Sequence, residues 1–172
     1  MYRRILMEKV LKNATLGFLI RENRVLLAKK ARHIGVGCWN GYGGGIEGEE
    51  SPEESFLREL HEEGGIRGNR AGLDKRALVD FHNTKADGEV FTCRVHVFVL
   101  TRWSGEPETT SEMLNPTWFP VDMLPADEMM PADKYWLPPA LAGECIYATA
   151  WYGPQQKTLL EKVQISRVAG FA

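Results

Sequence analysis

The chain has 172 residues, 44% of them hydrophobic and 26% charged, with a net charge of −2. That length suits one domain with its own core, and the composition excludes a disordered chain, a fibrous repeat and a uniformly basic nucleic-acid or membrane surface. Three scattered cysteines, Cys38, Cys93 and Cys145, form no CxxC pair, which argues against a disulfide framework or a zinc ribbon and for reduced thiols in a cytosolic protein.

Arg3 and Arg4 precede only three apolar residues before Glu8 and Lys9, so no secretory leader is expected. No apolar run approaches the ~20 residues of a membrane span. The expectation is a cytoplasmic single domain over residues 1–172.

In chain order, residues 14–20 form an apolar, β-leaning run, followed by the polar turn Arg21-Glu22-Asn23-Arg24 and a second short run at 25–28, which predicts a hairpin. Residues 29–38 read as a basic, glycine-containing loop. The run Trp39-Asn40-Gly41-Tyr42-Gly43-Gly44-Gly45 is too glycine-rich for a regular element and reads as backbone brought close to a ligand or a helix. Residues 51–63 have complete helix grammar, with Ser51 as N-cap, Pro52 at the first position and Glu54 closing a capping box. Phe56, Leu57 and Leu60 supply its apolar face, and Gly64-Gly65 its stop.

Residues 78–81 and 91–100 read as strands joined through a turn at Asp87-Gly88. In the second strand Cys93, Val95, Val97 and Val99 alternate with Arg94, His96 and Phe98, which puts the first set on the core. Residues 105–111 read as an acidic, polar loop. Asp133 is predicted to cap a short helix carrying Tyr135, Trp136 and Leu141, disturbed by Pro138-Pro139. Residues 145–152, the turn Gly153-Pro154-Gln155 and residues 157–168 predict a closing hairpin. Strands combined with two helices indicate an α+β sandwich around one sheet.

Charge is unevenly placed. Residues 47–63 hold eight carboxylates and one cation, Arg58, so a nearly neutral chain has one sharply acidic locus in a mildly basic body. Glu59, Glu62 and Glu63, at i, i+3 and i+4, share one side of the helix and lie near the negative end of its dipole. Like charges at that spacing cost about 0.2–0.5 kcal/mol per pair, and acids at a helix C-terminus cost about 0.3–1 kcal/mol each. A divalent cation reverses the sign of both effects. Oxygen donors with no His or Cys cluster favour Mg²⁺ or Mn²⁺ over zinc. The competing reading is a solvated acidic face held by an Arg58–Glu62 pair at i, i+4. The glycines just upstream favour the cation, because bare backbone lets a metal or a phosphate approach.

Gly44, five residues, Glu50, seven residues, then Arg58-Glu59-Leu60-His61-Glu62-Glu63-Gly64-Gly65-Ile66 reproduces every fixed position of the Nudix box. The chain therefore resembles the Nudix hydrolase family. The runs at 39–44, 95–98, 118–119 and 131–136 and the C-terminal hairpin resemble its MutT-like subgroup of oxidised-purine nucleotide hydrolases. The resemblance implies a Nudix α/β/α sandwich with a mixed central sheet, and Mg²⁺-dependent (or Mn²⁺-dependent) hydrolysis of a nucleoside diphosphate linked to another group. It implies that the Gly43 carbonyl, Glu59, Glu62, Glu63 and Glu112 bind the metal, with one of the glutamates as general base. By the same likeness Arg58 orients the glutamates, Glu50 anchors the turn into the helix, and Lys30 meets substrate phosphates. Thr15, Asn40, Asp133 and Trp136 would form the base pocket, Trp136 by stacking. Plain core packing for Trp136, an N-cap role for Asp133 and a solvated Lys30 are the alternatives.

Two positions depart from the subgroup, which pairs aspartates where this chain has Ala132-Asp133 and has tryptophan where it has Met130; strict 8-oxo-dGTP selectivity stays open. The expected activity is conversion of an oxidised purine nucleoside triphosphate to monophosphate and pyrophosphate. The alternatives are another substrate, such as ADP-ribose or a dinucleoside polyphosphate, or a non-catalytic nucleotide-binding module. The expected partner is a small-molecule nucleotide rather than a nucleic-acid polymer or a membrane, with the oligomeric state open.

Overall fold

In chain order the elements are β1 (Val10–Arg21), β2 (Arg24–Lys30), β3 (Trp39–Asn40), α1 (Pro52–Gly64), β4 (Arg67–Gly68), β5 (Leu73–Thr84), β6 (Val90–Leu100), β7 (Trp103–Ser104), β8 (Met113–Pro120), α2 (Asp133–Leu141), β9 (Cys145–Pro154) and β10 (Gln164–Val168). They are taken from a computed structural model that describes residues 10–172; the expectation about a leader rests on residues 1–9, which lie outside the described residues. No helix among the described residues is long and apolar enough to cross a membrane.

The predicted hairpin forms where Glu22 and Asn23, with φ of 51° and 59°, turn β1 into β2. Its pairing stops after Ile20↔Val25 and Arg21↔Arg24, and β2 then pairs with β8 and β3. On its other side β1 runs parallel to β6, with Thr15 opposite His96 and Gly17 opposite Phe98. The sheet order is β10-β9-β5-β6-β1-β2-β3, and it is mixed because β1 with β6 and β5 with β9 are parallel while the other pairs are antiparallel.

Each face carries one helix. Phe56 and Leu60 of α1 pack on Leu19, Leu26, Phe98 and Leu100; Trp136, Leu137 and Ala140 of α2 pack on Phe18, Val79, Val97 and Ala148. This is the expected α/β/α sandwich. Gly17 permits the close contact with α1, since a Cβ there would lie 2.1 Å from the Phe56 ring.

Helix α1 follows its sequence grammar. The Ser51 hydroxyl accepts from Glu54 N–H at 3.2 Å, Glu54 Oε2 accepts from Ser51 N–H at 2.9 Å, and Gly65 ends the helix in the left-handed region at φ 68°.

Two expectations hold but are extended, one strand is new, and one expectation needs correction. The strand foreseen at 78–81 is part of β5, which extends to Leu73 and Thr84 because pairing with β6 and β9 on both edges carries polar residues along. On β6 both faces are core near its end, where Phe98 and Leu100 lie under α1. Strand β8 was not foreseen; it pairs with β2, with the register shifting at Asn115-Pro116, where Asn115 has a φ of 52°. Asp133 does not cap α2. The cap is Ala132, without a side-chain bond, and Asp133 is the first helical residue. Pro138 and Pro139 stay inside that helix, where burial of Trp136, Leu137, Ala140 and Leu141 outweighs their cost of ~3 kcal/mol each.

Candidate active site

The glycine run lies along β1. Thr15 N–H donates to the Gly44 carbonyl at 2.8 Å, and Gly17 and Tyr42 exchange backbone bonds of 2.7 and 3.0 Å. Side chains are excluded on both sides of the run: a Cβ on Gly43 would stand 2.0 Å from the Thr15 carbonyl oxygen, and one on Gly44 would stand 2.5 Å from Glu59 Oε1. The expected close approach is therefore to β1 and to α1 at once.

Glu59 and Glu63, one turn apart on α1, line a cavity of about 570 Å³ with Gly43, Gly44, Lys30, Arg32 and Glu112. Glu63 is buried and accepts the Gly43 N–H at 2.9 Å. Burial pushes its carboxyl up to about 7 against that hydrogen bond, and the charges of Glu59 and Glu112 push the same way. Thr110 Oγ1 donates to the Glu63 carbonyl at 2.7 Å, satisfying a group the helix end leaves open. Glu112 pairs with Arg32.

Arg58 organises the acids. Its guanidinium donates twice to Glu50, at 2.6 and 3.1 Å, once each to Glu59 (2.9 Å) and Glu62 (3.1 Å), and to the Gly45 carbonyl at 3.2 Å. These bonds hold it protonated more firmly than an ordinary arginine. Glu50 also accepts from Glu47 N–H at 3.0 Å, tying the loop to the helix.

The trio does not converge. Glu62 is exposed and bonded to Arg58, and it does not line the cavity with Glu59 and Glu63. Among the described residues no three His, Cys, Asp or Glu side chains are grouped to hold a metal ion. Arg58 Nη1 bonds both Glu59 and Glu62, and of these two only Glu59 also lines the cavity. The cavity still brings two carboxylates of α1 together with a third on Glu112, hard oxygen donors that fit a divalent cation, although His33 and Cys93 also line it.

A smaller cavity of about 180 Å³ continues from the first, and the two share Lys30, Gly43, Gly44, Cys93 and Gln156. It is lined also by Thr15, Asn40, Phe81, Val95, Met130, Asp133 and Tyr152. Asn40 Oδ1 accepts from Gly41 N–H at 2.8 Å, and Thr15 is buried with its hydroxyl 3.5 Å from the Gly44 carbonyl. Burial lowers the pKa of Lys30, whose amine feels Glu63 on one side and Asp133 on the other. Burial raises the Asp133 carboxyl to about 7, although the Trp136 indole N–H bonds to it.

Trp136 does not stand in this cavity. It is fully buried, packs against Phe18 and Phe81 at ring distances of 6.4 and 6.5 Å, and is absent from the lining. The expected stacking platform is instead a core residue that holds Asp133. Tyr152, Gln156 and Phe81 were not foreseen as lining. Phe81 and Tyr152 sit on adjacent strands with stacked rings 5.9 Å apart, a pairing that only the parallel β5–β9 register creates. Tyr152 also accepts the Ala132 N–H at 2.8 Å, fixing the start of α2.

The NUDIX domain family profile matches residues 10–139. Oxidized purine nucleoside triphosphate hydrolases of Danio rerio and Mus musculus are each 36% identical to the chain, over 126 and 124 residues, covering 72% of this chain and 76% of each relative. Among solved structures, the MutT protein of Bacillus halodurans superposes with a TM-score of 0.75 at 25% identity, covering 90% of this chain and 97% of its own. The MutT NUDIX hydrolase of Burkholderia pseudomallei does so with a TM-score of 0.64 at 28% identity, covering 76% and 95%. With the fixed box residues clustered around Arg58, and that fold around them, the chain belongs to the Nudix hydrolase family.

Proposed function

We propose that this enzyme hydrolyses an oxidised purine nucleoside triphosphate, water adding across the phosphoanhydride bond to release the monophosphate and pyrophosphate. The observation that carries this reading is the continuity of the two cavities: carboxylates gather at one end, Asp133 is buried at the other, and Lys30 belongs to both. The two vertebrate relatives carry that activity in their names.

Nudix hydrolases use divalent cations. Here Glu59, Glu63 and the Gly43 carbonyl, with Glu112 opposite and Glu62 at the edge, would hold Mg²⁺ or Mn²⁺, which when bound neutralises phosphate charge and lowers the pKa of water. Arg58 keeps the Glu59 carboxylate aimed by bonding it from outside the cavity. Lys30, half-buried between the two ends, would meet the phosphate chain. At the far end an Asp133 carboxyl that titrates near neutrality can either donate to or accept from a purine edge, beside Asn40 and Thr15. Phe81, Val95, Met130 and Tyr152 supply the apolar walls a flat base needs.

The test is a panel assayed with Mg²⁺: 8-oxo-dGTP, 2-hydroxy-dATP, dGTP and ADP-ribose. The highest kcat/KM is expected for a modified purine triphosphate. A preference for ADP-ribose would overturn the substrate reading. Glu63→Gln should lower pyrophosphate release by at least about a hundredfold while nucleotide binding persists; undiminished turnover would remove Glu63 from the machinery.

A further inference from the structure

Where β4 pairs with β7, four arginines from separate segments face one concavity of about 820 Å³: Arg21 at the end of β1, Arg67 in β4, Arg70 in the 3₁₀ turn that follows, and Arg102 between β6 and β7. Glu106 is the one carboxylate among the lining residues, and none of them lines the catalytic cleft. Among the described residues none of the four guanidiniums forms an ion pair, although arginines elsewhere on the surface do. Folding therefore brings four like charges together with only Glu106 in the lining and Glu54 near Arg70 to offset them, an arrangement that an anion would stabilise.

The framework is built rather than loose. Arg67 pairs with Ser104 and Gly68 with Trp103 across β4 and β7. Asn69 N–H donates to the Arg102 carbonyl at 2.9 Å, and Asn69 Oδ1 accepts from Ala71 N–H at 2.9 Å. Gly72 packs directly on Arg102, where a Cβ would lie 2.7 Å from its backbone nitrogen. The Arg21 guanidinium lies over the Trp118 and Trp103 rings at 4.9 and 5.6 Å, which restricts its orientation.

We propose that these four guanidiniums form a second anion site, distinct from the catalytic cleft, that takes a free condensed phosphate: pyrophosphate or the polyphosphate chain of a nucleotide. Planar guanidinium forks match phosphate oxygens two at a time. A condensed phosphate carries enough charge to neutralise three or four of them, which orthophosphate does not. Single-stranded nucleic acid is disfavoured, because its recognition needs open aromatic faces for bases. Trp103 and Trp118 stack on each other at 5.9 Å and 22°, and Arg21 lies across both. The site does not depend on which nucleotide the cleft hydrolyses.

The experiment is calorimetric titration of the full chain with inorganic tripolyphosphate in EDTA, followed in parallel by tryptophan fluorescence, since Trp103 and Trp118 lie under Arg21. Saturable binding that weakens with salt is expected. Arg67→Gln and Arg102→Gln should each weaken it about tenfold, and Glu63→Gln should leave it unchanged. Thermal melts check that the variants fold; Arg70→Gln, on an exposed turn, decides the matter if the others do not, and should also weaken binding about tenfold. The proposal is overturned by an absence of saturable binding, by wild-type affinity in Arg70→Gln, or by loss of binding in Lys30→Gln, which would place the ligand in the cleft. Tighter binding of a single-stranded oligonucleotide through the same arginines would also overturn it.

Discussion

Asp133 Oδ1 accepts the indole N–H of Trp136 at 3.1 Å, one helical turn away, and both side chains are buried. Trp136 thus serves the site from beneath, by holding the group that faces the cavity. Trp136→Phe removes that donor and part of the packing on Phe18 and Phe81. Urea unfolding should show a loss of about 2–3 kcal/mol, and KM for the modified purine substrate should rise more than kcat falls. An unchanged KM would mean that Asp133 keeps its place without the indole.

Asp133 also predicts a pH dependence of stability. Burial raises its carboxyl from an ordinary 3.8 to about 7, so the folded chain keeps a proton the unfolded chain has released. Its contribution is fully present below the unfolded value, falls as pH rises through that window, and is lost above the folded value. The slope is at most about 1.4 kcal/mol per pH unit for one proton. Asp133→Asn carries no such proton. The stability of wild type minus that of the variant should therefore fall from acid to neutral pH, and a difference that stays level would contradict the buried, protonated carboxyl.

Arg58→Lys keeps the charge and loses the fork. A lysine cannot hold both oxygens of Glu50 while also bonding Glu59, Glu62 and the Gly45 carbonyl. Expected outcomes are a stability loss of about 2–3 kcal/mol and a ten- to hundredfold fall in kcat (about the range seen when groups supporting metal ligands are removed). Saturating Mn²⁺ should restore part of kcat, because the carboxylates themselves remain. Wild-type kcat would show that orienting Glu59 is unimportant.

Gly44→Ala separates site geometry from folding. The new methyl would meet the Glu59 carboxylate, the far end of a flexible side chain, at 2.5 Å. Glu59 should swing aside, so kcat drops by about tenfold or more while Tm changes little. Gly43→Ala should instead unfold the loop, since its methyl would strike the Thr15 backbone oxygen at 2.0 Å. Equal melting of the two variants would contradict this distinction.

Helix α1, its caps, the acidic locus and the spacing that reveals the family were legible because they depend on neighbours within about one turn or on a fixed linear pattern. The hairpin at Glu22-Asn23 was legible for the same reason. Strand β8 was not, because it is held by pairing with β2 from across the chain, interrupted where the register shifts at Asn115-Pro116. Nor was the split among the glutamates, which depends on where the Arg58 guanidinium lies between Glu50, Glu59 and Glu62.

By itself, then, the amino-acid order determined helix α1, the β1–β2 turn, the acidic locus and the family chemistry, all of them set by short-range sterics, capping and spacing. Only the tertiary structure decided that Trp136 is core, that Tyr152 and Phe81 wall the base end, and that Arg21, Arg67, Arg70 and Arg102 meet in one concavity. Those outcomes follow from pairings between distant strands, parallel for β1 with β6 and β5 with β9 and antiparallel for β4 with β7, and from burial, which no short stretch of sequence encodes.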